Sequence, residues 1–384
     1  MARTRQKNAV SGKPVMNFEQ YELRSLEVGD IYEQMQVELF ENLIRRLKKR
    51  GDIDLEENPY VWQLQKLSEM NMLNEENLKI ITKRSGIAEE LLRNVIENEG
   101  LSIYEDTFTR YGKKKPKGWQ SNLVHESLSA LSSQAIGELH NMINSTLPES
   151  IQVVFRDIVQ KTVAQVTAGI STPQKAISES VMKWAERGFT GFVDAGGKRW
   201  RADVYARAVV KSTTRRTYNE MRTRSAKEAG ITTFLYSKKS SAREMCAYIQ
   251  GQIVTYGPAF EQDGIKVFSL ADYGYGTAGG CLGVHCGHHL TPFVIGVNIF
   301  NGDNIPDPEE AMANAKLEAK QRGLERAVRK AKERLHYANQ LEDAEEIQKA
   351  KISVKKAQGK VRQFVEENQD ILHRDYSREK FYGN

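Results

Sequence analysis

Thiols and imidazoles are the side chains of this sequence that could act together as a chemical group. All three cysteines (Cys246, Cys281, Cys286) and three of the seven histidines (His285, His288, His289) lie between positions 246 and 289. Thiolate sulfur and imidazole nitrogen are zinc's preferred ligands, and a closed structural site takes four of them. Cys286 and His288 would supply two, with Cys246 and either Cys281 or His285 completing the set. The segment contains no Cys-x-x-Cys pair, so packing is the alternative: buried thiols behave as small apolar residues and the histidines bond locally. A Cys–His nucleophile is a third arrangement. Two residues so close in sequence do not fix a base geometry by themselves, and no orienting acid stands nearby.

A row of cations is the second candidate. Arg207, Lys211, Arg215 and Arg222 fall within about 80° on a helical wheel. Such a row can follow phosphates without reading bases, which makes duplex DNA a candidate partner. The competing readings are a solvated face, or one paired with the acidic stretch 51–110, which holds 13 acids against 6 bases. Residues 198–240 hold 12 bases against 3 acids, so the overall charge of +6 hides an acidic and a basic module. The glycines at 274, 276, 279 and 280 read as turns; no Lys-Ser/Thr pair follows to make a phosphate loop.

These groups must be held by mostly helical elements. Ile31, Met35, Leu39, Leu43 and Leu47, widened by Phe40 and Ile44, predict a helix over 31–50 with cations in its last turn and Gly51 past its end. Further helices are expected to start after Asn74 and after Ser85-Gly86, the second closing at Gly100. Residues 111–122 are rich in lysine and breakers and read as a linker. Helical spacing resumes to about 165, and Ser171-Thr172-Pro173 should open a helix ending before Gly188. Residues 200–229 make the long central helix that carries the cation row.

The pattern then changes. Ile231–Tyr236 and Gln252–Tyr256 have the β-branched and aromatic content of short strands. From Glu309 to about Arg374 proline is absent and apolar residues recur at alternating three- and four-residue steps. The two registers do not join across Glu342–Glu346, so the tail is either one rod with a stutter or a hairpin. The expected fold is mainly α with a small β-containing central module and a long helical C-terminal tail. Its regions are a flexible basic N-terminus (1–25), an N-terminal helical domain (26–122), a central helical region (123–230), a β/loop module with the Cys/His motif (231–305) and a coiled-coil-like tail (306–384).

Composition narrows the class without giving an activity. A chain of 384 residues with 28% charged residues and mean hydropathy of −0.57 is neither a disulfide scaffold nor a membrane-spanning protein. Its first ten residues are basic and lack the apolar stretch of a secretory signal. A soluble intracellular protein without a small-molecule substrate is expected.

Three motifs in order then point to a family. Ser241-Ala-Arg-Glu-Met-Cys246-Ala-Tyr-Ile-Gln250-Gly251 resembles the pattern Ala-Arg-Pro-x-Cys-Ala-x-x-Gln-Gly. Gly279-Gly-Cys-Leu-Gly283-Val-His-Cys286-Gly287-His288-His-Leu-Thr-Pro292-Phe293-Val-Ile-Gly296 resembles Gly-Leu-Phe-Gly-x-Asn-Cys-Gly/Arg-His-x-x-x-Pro-Phe-x-x-Gly. Gln321-Arg322-Gly-Leu-Glu325-Arg326-Ala-Val-Arg329-Lys330 resembles the opening of the same family's C-terminal helix. These patterns belong to the minor capsid protein 2 family of tailed phages, related to the Mu F-like minor head proteins. The resemblance implies a structural component of the virion head, assembled in the host cytoplasm in few copies beside the portal protein and other head proteins. It implies no catalysis. His285 stands where the family usually has Asn, and Cys281 where it has Leu or Phe, so Cys246, Cys286 and His288 are the candidate ligands that follow the pattern. The alternatives are a metal-dependent nuclease and a DNA-binding protein ejected with the genome. For the first, Gly287–Pro292 is superficially similar to the paired histidines of HNH nucleases, but no histidine lies between His289 and His336.

Overall fold

The structure, a computed structural model, describes residues 17–49, 54–111, 121–194, 196–300, 302 and 304–381. Gly51, residues 112–120 of the expected linker and the first sixteen residues of the basic N-terminus lie outside the described residues. Helix α1 (Phe18–Lys48) begins well before the spacing predicted, so residues 18–25 are helix and not part of a flexible terminus. The cause is local and tertiary. The Asn17 side chain accepts from the Gln20 N–H at 2.8 Å and the Gln20 side chain accepts from the Asn17 N–H at 3.0 Å, a reciprocal cap. Phe18 and Tyr21 are buried against Tyr218, with ring centroids 5.0 and 5.9 Å away. The predicted stripe is buried at Met35, Leu39, Phe40, Leu43, Ile44 and Leu47. At the helix end the buried Lys66 ammonium donates to the carbonyls of Arg46 (3.0 Å) and Lys49 (2.8 Å), placing a cation at the negative pole of α1.

Next come α2 (Pro59–Ser68), α3 (Met70–Arg93), a π-helical turn (Asn94–Glu99) and α4 (Gly100–Tyr111). The breaks expected at Ser85-Gly86 and Gly100 do not occur. Gly86 sits inside α3, where its cost of about 1 kcal/mol relative to Ala is outweighed by burial of Ile81, Ala88 and Leu92. Gly100 marks a close approach: a Cβ there would lie 2.8 Å from Leu128 and 3.0 Å from Thr217. Helices α5 (Ser121–Asn141), α6 (Leu147–Thr167) and α7 (Pro173–Ala185) follow, α7 opening at Thr172-Pro173 as spaced. A two-stranded ribbon, β1 (Thr190–Val193) and β2 (Arg199–Arg201), leads into the central helix α8 (Ala202–Glu228). One apolar core joins α1, α3, α5, α6 and α8.

The β module is a five-stranded sheet. Strands β3 (Thr233–Tyr236), β4 (Ile253–Thr255), β5 (Phe260–Gln262), β6 (Ile265–Ser269) and β7 (Leu290–Pro292) lie in the order β5-β6-β4-β3-β7. β4 and β6 are parallel and the other pairs antiparallel. Pro292 is tolerated because β7 is an edge strand. A short helix α9 (Glu244–Ala247) covers a second core that includes Phe234, Tyr236, Cys246, Ile249, Leu270 and Leu290.

The C-terminal segment is a hairpin of α10 (Pro308–Leu341) and α11 (Ala344–Glu366), turned by Glu342 in the left-handed region (φ 56°). Asp307 caps α10 through the N–H groups of Glu309 and Glu310, both at 3.0 Å. The hairpin packs on the body and does not project as a rod. Tyr337, Ala338, Leu341 and Ala350 enter the main core, and Phe40 lies 4.1 Å from Phe189 and 5.3 Å from Tyr337. The half-buried Arg201 guanidinium grips Glu333 of α10 with two hydrogen bonds of 3.0 and 3.1 Å. The molecule is thus mainly α with a small β-containing module.

Candidate functional site

Three separate segments bring the thiols and one imidazole together. α9 delivers Cys246, the loop entering β7 delivers Cys286 and His288, and β3 contributes Tyr236. The sulfurs of Cys246 and Cys286 are 3.6 Å apart, and the Cys286 sulfur is 3.4 Å from His288 Nδ1. The Tyr236 hydroxyl lies 3.4 Å from the Cys246 sulfur and 3.7 Å from that of Cys286. All four residues are buried. On its far side, His288 Nε2 is 2.9 Å from Gln250 Oε1, which also accepts the Lys239 backbone N–H at 2.7 Å.

Alternation along the chain separates the paired histidines. His288 turns into the thiol pocket, while His289 stacks on Phe18 (4.8 Å) and meets Tyr218 edge-on (5.9 Å). Asn219 of α8 fixes this register: its Oδ1 accepts the Leu290 N–H at 2.9 Å and its Nδ2 reaches the His288 carbonyl at 3.4 Å. The glycine-rich loop is clamped by Arg243, which donates to the carbonyls of Val284 and Gly280, both at 3.1 Å. Gly280 is forced by contact, since a Cβ would sit 1.8 Å from the Gly274 carbonyl oxygen.

Cys281 and His285 do not join the cluster. Cys281 is buried in the same core but donates to the Leu270 carbonyl at 3.4 Å. His285 sits in the left-handed region (φ 63°) on the wall of the adjoining cleft. Among the described residues, Cys246, Cys286 and His288 form the group whose ligand atoms converge, all within 4.8 Å of one another.

The cluster forms the floor of a cleft of about 1070 Å³ between α1, α8, α10, the glycine-rich loop and the C-terminal segment. Arg207, Lys211 and Arg215 line it too, already engaged. Arg207 pairs with Asp30 and Glu33 at 2.6 Å each. Glu22 takes Lys211 at 2.9 Å and Arg215 at 2.5 Å. Arg222 donates to the Tyr218 hydroxyl at 2.6 Å and lies over that ring. The expected row is therefore a seam between α8 and α1. Its counter-charges come from α1, not from the acidic stretch 51–110: α1 packs along α8 with Asp30 and Glu33, and its early start adds Glu22.

Electrostatics follow from burial and these neighbours. The hydrogen bond from the Cys246 thiol holds Cys286 below the ordinary thiol value, and the same bond together with burial pushes Cys246 up. Burial raises Tyr236, and it pushes Cys281 up to about 12. His289 is pushed down to about 4 by burial and by Arg222. Burial opposes the charge on Glu22, but Lys211 and Arg215 outweigh it and hold the carboxyl below its ordinary range. Glu33 goes the other way, because burial, reinforced by Asp203, outweighs Arg207. Chemically, the cluster can share a proton between two thiols or hold a thiophilic cation.

Sequence reasoning passed over three contributors. Gln250 was legible as the glutamine of the first motif and Arg243 as its arginine, but neither shows a role until the loop folds over them. Of the α1 carboxylates, Glu22 was hidden because residues before 26 read as terminus, the Asn17–Gln20 pair being the available signal, and Asp30 and Glu33 show no partner until α1 packs on α8.

Comparison of the sequence with known proteins places the chain among the structural proteins of bacteriophages. A family model described as "Phage minor capsid protein 2" matches residues 16–366, and the chain belongs to that family. It is 32% identical over 369 residues to a structural protein of Lactococcus phage LL-H, covering 91% of this chain and 98% of that protein. It is also 41% identical over 115 residues to a structural protein of Lactococcus phage mv4, covering 30% of this chain and 92% of that protein. No solved structure gives a significant match.

Proposed function

We propose that this chain is a structural minor head protein, held inside the phage head near the portal in few copies, with portal and other head proteins as its partners. The observation that carries the reading is the family match over nearly the whole chain, joined to end-to-end similarity with a phage structural protein. The site geometry supports a structural over a catalytic role. His288 Nε2 is met by the Gln250 amide oxygen, and Cys246, Cys286 and His288 are all buried, which suits a packing or ligand-holding knot. No helix among the described residues is long and apolar enough to cross a membrane. Cross-linking of assembling heads tests the location: cross-links to the portal protein are expected, and cross-links confined to shell proteins would overturn it.

A second reading, contact with the packaged DNA, coexists with the first. The observation favouring it is the outward face of α11. Lys351, Lys355, Lys356, Lys360 and Arg362 are exposed there and form no ion pair among the described residues. Unlike Arg207, Lys211 and Arg215, these cations are free to meet phosphates.

A further inference from the structure

We infer that Cys246, Cys286 and His288 bind one zinc ion with three protein ligands, leaving a fourth coordination position open to the cleft for an oxygen ligand. Two of the three donor distances are those of a tetrahedral site. Zn–S bonds of about 2.3 Å and Zn–N bonds of about 2.0–2.1 Å set tetrahedral edges of about 3.8 Å for S···S and about 3.5 Å for S···N. The structure gives 3.6 Å between the sulfurs and 3.4 Å from Cys286 sulfur to His288 Nδ1. The third pair, the Cys246 sulfur and the His288 ring, lies within 4.8 Å, and binding would draw it to the edge of about 3.5 Å.

The imidazole is set for this role by its outer partner. Gln250 Oε1 accepts the Lys239 backbone N–H, which fixes the amide's orientation and makes that atom an acceptor. His288 Nε2 must then be the donor to it at 2.9 Å, and the Nδ1 lone pair faces the sulfurs. The Tyr236 hydroxyl, in reach of both sulfurs, adds a hydrogen bond that stabilises thiolate charge.

Among the described residues, no fourth ligand joins this set. The Cys281 sulfur is turned to the Leu270 carbonyl. The three ligands line the cleft floor, so the open position faces its interior. Lys239 and Arg243 line the same cleft beside the α8 cations. Arg215 Nε is buried there without a partner among the described residues. Such surroundings suit a water or an oxyanion as fourth ligand. The ion would tie α9 to the loop entering β7, across a module with a small core of its own.

The full-length protein, purified under reducing conditions without chelator, tests this. Elemental analysis should give about one zinc per chain. Replacement by Co2+ should give the thiolate charge-transfer and intense visible bands of tetrahedral cobalt, and added phosphate should shift them. C281S and H285A should keep those bands, while C246S and H288A should lose them. Metal-free wild-type protein that takes up no cobalt would overturn the site, whatever the variants do. Loss of the bands in C281S or H285A would overturn the three-ligand assignment.

Discussion

Two helices carry rows of cations, and the fold treats them in opposite ways. On α8, Arg207, Lys211 and Arg215 are enclosed with Asp30, Glu33 and Glu22 of α1. On α11, Lys351, Lys355, Lys356, Lys360 and Arg362 face solvent. On a helical wheel the α8 cations fall within about 80° and the α11 cations spread over about 180°, so spacing alone favours α8 as the phosphate-binding stripe. What reverses that order is the neighbour: α8 is central and flanked by an acidic helix, whereas α11 is the outer arm of a hairpin. A cation row reports a surface only when nothing of opposite charge is available to cover it.

The largest expected effect breaks the α8 side of this contrast. Glu22→Gln leaves Lys211 and Arg215 partly buried without their shared carboxylate. It should lower unfolding free energy by about 2 kcal/mol at neutral pH, read by denaturant titration. Replacing the five α11 cations by Gln should change stability by less than about 0.5 kcal/mol per residue. The pH dependence sharpens the point. Glu22 has a folded-state pKa below its unfolded one, so its contribution is complete above the unfolded value of about 4.3 and disappears as pH falls through the folded value. The gap between wild type and the Glu22→Gln variant should therefore be widest at neutral pH and close in acid. Glu33, whose pKa is raised, titrates in both proteins and drops out of the difference. A gap that persists unchanged in acid would mean that packing, not charge, is what the substitution removes.

A smaller effect tests the α11 side. Duplex DNA binding should weaken steeply with salt, and each α11 cation that touches a phosphate should contribute about 0.9 to the slope of log K against log salt. The five-fold Gln variant should flatten that slope while remaining folded. Glu22→Gln should leave the slope contributed by α11 in place. An unchanged slope in the α11 variant would remove this face from any role in DNA contact.

Much of this architecture was legible in the residues. The apolar spacing of α1, the Thr172-Pro173 start of α7, the strand character of 233–236 and 253–255 and the register break at Glu342 all reflect local rules. The failures share a physical reason. Gly100 reads as a helix end but is a contact between helices, which spacing cannot distinguish. Strands β5 and β7 hold Glu, Gln or Pro and lack the run of β-branched residues that marked the equally short β4. The Cys/His cluster was legible in composition, yet which ligands converge depends on Cys281 turning to the Leu270 carbonyl and His285 taking a left-handed conformation. Both are outcomes of loop packing. The first motif carried Cys246 and Gln250, and the second carried Cys286 and His288. Their meeting across β3 is a tertiary fact.

The central claim, that this chain is built into the head as a minor component, is tested most directly by quantitative mass spectrometry of purified procapsids and virions. The account predicts that the chain is present in both at a small, fixed ratio to the major capsid protein. Its absence from both particles, with the protein recovered only as a free species in the lysate, would contradict the account.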